Sequence, residues 1–588
     1  MKFNLSSFTG SMKNKMQHLK LQNLVYRFLS AFLFTSFIIY YFVPSIYTSQ
    51  NFYTYFTFAE FLLITGVLTL LLFFIKSEKT IRMIFIVTSI LYAVLCALYV
   101  SNYYISFGLC ILLFMALYFT QTDDLLNFKI QSAKTVWTFA IFLAIFFVIF
   151  TSVYTCMHYF NYGTPCFDFG LFSQMFHYMK ETGKCLTTCE RDKLLNHFAV
   201  HFSPIYYCLL PLYMLFPSPA TLLIQQTLVV ASGIIPLVLL CKQYKLSNTA
   251  TVLFSICFTF FPAFSGGCSY YLHENCFLVP FLLWLFYFFE KENVPLTLLF
   301  SILTLCIKED AAVYVAIIAL YFLVSKKRPA LSFSVFLLSI VTFVFVTNLM
   351  GVFGEGVMSD SRYGDYIYDD GGLFTVIKSV IQNPLFAIEH IMKPEKILFI
   401  LQMFLPLCFL PLSIRKPAKL ILLIPMVLIH LMTNYVYQYN IGYQYCFGTG
   451  AILFYLAITN FADLPKTSLK TKMEIAAAAF AVLLFCSGEM QRISYATTFV
   501  QEKQNRAVIS EGLSLLPKDA TVSASTFFIA NLSNYDVIYE LEATEQDSDY
   551  IVMDLREGKD VMDPAKYQTD AYETIYYHDD VIAIFKKV

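Results

Sequence analysis

Apolar runs of 18 or more residues without a charge recur from about position 28 to position 487, and the polar positions between them gather into short turns. A run of that length is what a helix needs to cross about 30 Å of hydrocarbon. Spans are predicted at about 28–47, 53–75, 83–101, 104–120 and 135–155. The turns after the second and fourth hold Lys76, Lys79 and Arg82, then Lys129 and Lys134. Lys2, Lys13, Lys15, Lys20 and Arg27 all precede the first acidic residue, Glu60, so the positive-inside rule places the amino terminus in the cytoplasm. About 27 mixed residues lead into the first run with no small-residue cleavage site after it, so a cleaved signal peptide is not expected.

This alternation puts a loop at 156–216 outside. Within it, the apolar stretch after His201 is only about 15 residues long, contains Pro211 and is bounded by Pro204, Pro217 and Pro219. It is too short and broken for a crossing and reads as a juxtamembrane or re-entrant segment. The next span, about 219–241, delivers Lys242 and Lys245 to the cytoplasmic side. Lys326 to Arg328, then Arg415, Lys416 and Lys419, then Lys466, Lys470 and Lys472 mark further cytoplasmic turns, with a second external loop at 351–394 and a last span at about 473–487. Three short apolar segments cut by charges occupy 276–324, so the expected total is about 12–15 transmembrane helices.

After Gly488 the pattern changes. An amphipathic helix is predicted over about Thr497–Leu515, followed by strand-like TVSAS (521–525), VIYEL (537–541) and YIVMDL (550–555), and a hairpin around His578 and Asp579. The expected organisation is a four-helix membrane module (1–134), a second membrane domain (135–487) and a small extracytoplasmic α/β domain (488–588) with no catalytic signature of its own.

Composition agrees with a polytopic α-helical membrane protein: 58% of the 588 residues are hydrophobic and 14% charged, and the mean hydropathy is +0.64. A formal net charge of zero and the absence of any recognition module set nucleic acid aside as a partner. The 15 cysteines are scattered singly. Cys166, Cys185 and Cys189 share one loop and could form a disulfide, with unpaired thiols the expectation.

Ionisable groups at membrane depth are costly, about 2.5–3.5 kcal/mol each on insertion scales, so each calls for a reason. In CFDFGLFSQMF, Asp168 is a candidate base or metal ligand, with Gly170 and Gln174 following; the alternative is an ordinary helix N-cap. In NHFAVHFSP, His197 and His201 stand four residues apart, a spacing that suits a metal if helical, though packing and hydrogen bonding explain such a pair as well. His273 and Glu274 lie in SYYLHENCF. Lys308, Glu309 and Asp310 interrupt a long apolar stretch in CIKEDAAVY, where a lysine suits a phosphate and an internal ion pair is the alternative. Arg362, flanked by Asp360 and Asp365 and followed by Asp369 and Asp370, is a candidate second phosphate contact or a residue of a solvated loop. Tyr443, Gln444 and Tyr445 in YNIGYQYCFGTG offer polar aromatics of the kind that line sugar sites or form an interfacial belt.

Taken in order, FDFGLFSQ, HFSPIYYCLLPLY, LHENCF, IKEDAA, SRYG, GYQY, LPKDATVSASTF and YIVMDL resemble the family of predicted bacterial membrane proteins known as domain of unknown function 2079, over roughly residues 150–555. That family is similar in layout to the GT-C glycosyltransferases. The likeness implies a GT-C-like fold in the inner (cytoplasmic) membrane, a polyprenyl-phosphate-linked sugar as donor, and an acceptor glycan, lipid or protein. It further implies that Asp168, in the position of the loop carboxylate, acts as general base on the acceptor hydroxyl. FDFG stands where many such enzymes show two adjacent acids, which leaves open whether a divalent metal, held by Asp168 if at all, takes part. Lys308 and Arg362 are then expected on the departing phosphate, with Gln174, His197, His201, His273, Glu274, Glu309, Asp310, Tyr443 and Tyr445 as candidate substrate contacts. A transporter or flippase also uses buried charges, but no inverted repeat of the charged clusters is visible. A noncatalytic scaffold would leave the clusters dispersed.

Overall fold

The computed structural model describes residues 5–43, 56–120, 129–354, 362–368, 372–556 and 563–588. The expected sites Asp360, Asp369 and Asp370 lie outside these residues. Among the described residues, eight helices are long and apolar enough to cross a membrane, including Glu78–Val100, Ala133–Phe160, Pro219–Gln243 and Ser468–Gln501. Shorter apolar helices such as Phe58–Leu72, Tyr103–Phe119 and Ala311–Val324 run between them. The first helix starts at Leu5, well before the predicted onset near 28.

The turns of the bundle sort into two poles. At one, the Arg27 guanidinium donates to the carbonyls of Leu72 and Ile75, Lys472 Nζ donates to the Tyr118 carbonyl at 3.0 Å, Lys242 sits 4.7 Å over the Trp137 ring, and Lys419 pairs with Asp463 at 2.9 Å. At the other, Ser101 Oγ donates to the Ser487 carbonyl at 3.0 Å and Gln491 Nε2 to the Leu98 carbonyl at 2.6 Å. Basic turns scattered through the sequence therefore converge at one end of the molecule. The long loops share the opposite end.

Residues 276–324 form three back-and-forth helices, Leu278–Glu290, Val294–Leu305 and Ala311–Val324, of 13, 12 and 14 residues. At 1.5 Å per residue each is only about 18–21 Å long, less than the hydrocarbon thickness. Their unwound junctions must be buried in protein or line a polar cavity, because lipid cannot satisfy free backbone groups. The stretch after His201 folds as a 3-10 segment, Pro204–Cys208, and a six-residue helix, Leu210–Leu215. Its four prolines break any longer helix.

Beyond Gly488, the predicted single amphipathic helix is two, Ser494–Gln501 and Lys503–Ser514, broken at Glu502. A five-stranded sheet follows. Val522–Ala524 pairs in parallel with Ile538–Glu540 and Tyr550–Asp554, and the latter pairs antiparallel with Ile582–Lys587, itself paired with Tyr572–His578. Strand period 2 sends Val552 to one face, with Ile509 and Ile584, and Ile551 and Met553 to the other, with Phe585.

This C-terminal unit is fastened to the loop that follows the Ala133–Phe160 helix. Arg556 donates to the carbonyls of Asn161 and Tyr162 at 3.0 and 2.7 Å, and Thr526 Oγ1 accepts from Cys166 N at 3.0 Å. Thr188 Oγ1 both donates to the Ile538 carbonyl and accepts from the Ile538 amide. Sheet and loop form one packed layer on that pole.

Candidate functional site

Asp168 lies in a single wide turn, Cys166–Gly170, leading into the helix Leu171–Thr182. Two contacts hold that turn from the C-terminal unit. One is the Thr526 bond; the other is Gly170, where an added Cβ would come 2.7 Å from Ile529 Cγ2. Phe169 anchors it from the membrane side, against Tyr159 and Tyr271 at ring separations of 5.9 and 5.3 Å. The capping alternative for Asp168 does not hold, because Gly170 occupies the N-cap and no side chain caps the helix. The Asp168 carboxylate is half-buried and makes no side-chain hydrogen bond among the described residues.

Opposite it stand two unwound junctions. Glu274, in the segment before Leu278, is fully buried, with Lys308 Nζ 2.9 Å from one carboxylate oxygen and His273 Nδ1 3.0 Å from the other. Tyr206 donates its hydroxyl to the same carboxylate, and the His273 amide donates to Gln226 Oε1 at 2.7 Å. Lys308 lies in the junction between Val294–Leu305 and Ala311–Val324. Its neighbour Glu309 accepts from His201 Nδ1 at 2.9 Å and from the Phe202 amide at 3.3 Å. Asp310 Oδ1 is buried without a hydrogen-bond partner among the described residues. A third wall carries Arg362, whose guanidinium lies 5.2 Å over the Tyr435 ring and 5.6 Å over that of Tyr445. The Tyr443 ring packs at an angle against Tyr270 and edge-on against Tyr437, with centroids 4.4 and 4.6 Å apart.

These groups share one electrostatic neighbourhood. The charges of His273, Lys308, Glu274 and His201 act on Asp168, Arg362 and Lys308 act on Asp310, and Lys308, Arg362 and Asp168 act on Tyr445. Burial pushes the Asp168 carboxyl above the ordinary aspartate range, although His273 and Lys308 pull the other way. Burial, reinforced by Lys308, lowers His201 despite its Glu309 partner, which favours the neutral imidazole. His197 goes the other way: burial alone would lower it, but the bond to Glu190 at 2.9 Å outweighs that and raises it.

Two expected site residues have structural bonds of their own. Gln174 is buried in a network with Thr187, Thr188 and the Tyr535 carbonyl, so it ties the loop to the C-terminal unit. His197 starts a 3-10 turn of three residues, not a helix shared with His201. The two histidines take separate carboxylates and their rings lie 5.9 Å apart. Among the described residues no three His, Cys, Asp or Glu side chains are grouped to hold a metal, so the donor set at Asp168 does not fit a divalent ion. Cys166, Cys185 and Cys189 are free thiols. Asp365 faces His390 at 3.3 Å, away from the cluster.

Sequence reasoning missed Tyr206, Gln226, Tyr270 and Tyr435. Tyr206 lies within the HFSPIYYC segment and Gln226 is a lone amide inside an apolar span, which is a usable signal; the two tyrosines are indistinguishable in sequence from interfacial aromatics.

A family model described as predicted membrane protein (DUF2079) matches residues 157–581, which takes in every group of this cluster. No curated protein matches the chain.

Proposed function

We propose that this chain, which belongs to the DUF2079 family of predicted membrane proteins, is a membrane glycosyltransferase of GT-C type using a polyprenyl-phosphate-linked sugar on the extracytoplasmic side. The supporting observation is that an uncapped, half-buried Asp168 lies in the electrostatic neighbourhood of Lys308, His201 and His273, with Arg362 acting on Asp310 and Tyr445 of the same cluster. In this reading Asp168 takes the proton of the acceptor hydroxyl as that oxygen attacks the anomeric carbon, and the bond from that carbon to the lipid phosphate breaks. A carboxyl whose pKa is raised toward working pH is a better base than an ordinary aspartate.

The departing phosphate needs a cation. Lys308 is neutralised at close range by Glu274, whereas Arg362 makes no ion pair among the described residues and has its plane set by two tyrosines. Arg362 is therefore the phosphate contact, and Lys308 acts mainly by holding Glu274 and His273 in place. Tyr443, Tyr445 and Tyr270 supply aromatic faces for a sugar ring. The test is transfer by the purified protein from a panel of polyprenyl-phosphate sugars. Asp168→Asn is expected to remove activity while donor binding persists, and a variant that transfers as fast as the parent would rule out the base role.

A further inference from the structure

A cavity lies beside the loop that leads from the Ala133–Phe160 helix toward Asp168. It holds about 870 Å3 and is lined by His158 and Asn161 at the end of the Ala133–Phe160 helix, Tyr495, Glu502 and Asn505 of the two linker helices, and Arg556 of the C-terminal unit. Its chemistry is one-sided. The Arg556 guanidinium is ion-paired with Asp554, at 2.8 and 2.5 Å, and gives two more of its five N–H groups to the Asn161 and Tyr162 carbonyls. What faces the space instead is acceptors and hydroxyls: the carboxylates of Glu502 and of the exposed Asp580, with the hydroxyls of Tyr495 and Thr498. One wall is aromatic, since the His158 and Tyr495 rings stack at 3.9 Å, with His158 fixed by the Tyr271 hydroxyl at 2.8 Å. Acceptors beside an aromatic face, without an uncommitted cation, suit sugar hydroxyls and disfavour a phosphate.

A separate apolar groove of about 390 Å3 lies next along the same transmembrane helix, lined by Phe146, Ile149, Phe150 and Val153 and bordered by Ile493 and Ala496. Tyr154 at the end of the groove is one helical turn from His158 in the cavity, and Ala496 lies between Tyr495 and Thr498 in the helix that covers both. A hydrocarbon chain in the groove would therefore place its head among the polar groups.

We infer that this groove and cavity bind a neutral glycolipid, one chain in the groove and its sugar, joined without phosphate, in the cavity. As the acceptor of the reaction it rests on the transferase reading; as a binding site it does not. Gly163 lines the cavity, and the five residues from there to Asp168 span at most about 18 Å, within reach of a short oligosaccharide crossing from one site to the other.

The experiment uses the full chain, purified without glycoside detergents and placed in nanodiscs. It titrates monohexosyl diacylglycerol, phosphatidylglycerol and a free disaccharide. The glycolipid is expected to bind at least ten-fold more tightly than either control. Thr498→Trp, at an exposed position that fills the cavity, and Ala496→Trp, which fills the groove, should each weaken it ten-fold or more. Equal binding of phosphatidylglycerol, equal binding of the free disaccharide, or indifference to both tryptophans overturns the inference. Asp168→Asn separates the two readings: it should abolish transfer and leave glycolipid binding as it was.

Discussion

Glu274 and Lys308 are both withdrawn from solvent, at 0% and 2% side-chain exposure, and each depends on the other to offset its desolvation. Removing one partner leaves an uncompensated buried charge, which typically costs about 3–5 kcal/mol. Lys308→Met should accordingly lower thermal stability sharply in detergent, and Glu274→Gln with Lys308→Met should recover much of it. If Lys308→Met unfolds at the parent temperature, the pair is not the structural bond described. Arg362 calls for the opposite result. Its guanidinium rests on tyrosine faces without an ion pair among the described residues, so Arg362→Ala should leave the melting temperature near that of the parent. Transfer should fall about 10²–10³-fold, the usual loss of one charge-stabilising donor. Equal transfer by Arg362→Ala would remove it from the phosphate.

At the scale of elements, the site is built from interruptions. The Leu278–Glu290 and Ala311–Val324 helices each begin where a charged segment ends, and the Cys166–Gly170 turn interrupts the chain before Leu171–Thr182. Close packing keeps these pieces in register. A Cβ at Gly266 would lie 2.3 Å from the Ile441 carbonyl oxygen, a backbone atom that cannot swing aside. Gly266→Ala should therefore push the Ile441–Tyr445 segment, with its two tyrosines, away from the cluster. The expected outcome is a raised KM for the donor together with a lower melting temperature, and an unchanged KM would show that this packing does not set the aromatic wall. The same interruptions explain what the sequence made legible. Long uncharged runs ending in lysines mark candidate spans, and a charge triplet at Lys308–Asp310 stands out because it is costly there. Residues 276–324 resisted because three helices of 12–14 residues fall below any window matched to a full crossing. The bonds of Gln174 and His197 were not legible for a different reason: a polar side chain in sequence does not disclose its partner, and theirs are Thr188 and Glu190.

For the whole molecule, the decisive property is polarity along the bundle axis. The helices Ala133–Phe160 and Ser468–Gly488 both start at the pole where Lys242, Lys419 and Lys472 gather. Both end at the pole that carries the loop and the sheet, where the Ser487 carbonyl accepts from Ser101. On the proposed reading the basic pole faces the cytoplasm, as the positive-inside rule expects, and the Asp168 cluster and the proposed glycolipid cavity lie on the far side. Reporter fusions test this directly in a bacterial host. Alkaline phosphatase joined after Val588 should be active and a fluorescent protein there dark, with the reverse for fusions at the Lys466–Lys472 turn. The opposite pattern would put Asp168 in the cytoplasm, where nucleotide sugars are the available donors, and would remove the reason for a lipid-linked one. The clamp formed by Arg556, Thr526 and Thr188 shows why the orientation matters for the entire chain: the C-terminal sheet holds the Asp168 turn from behind, so it must lie on the same side of the membrane as the chemistry.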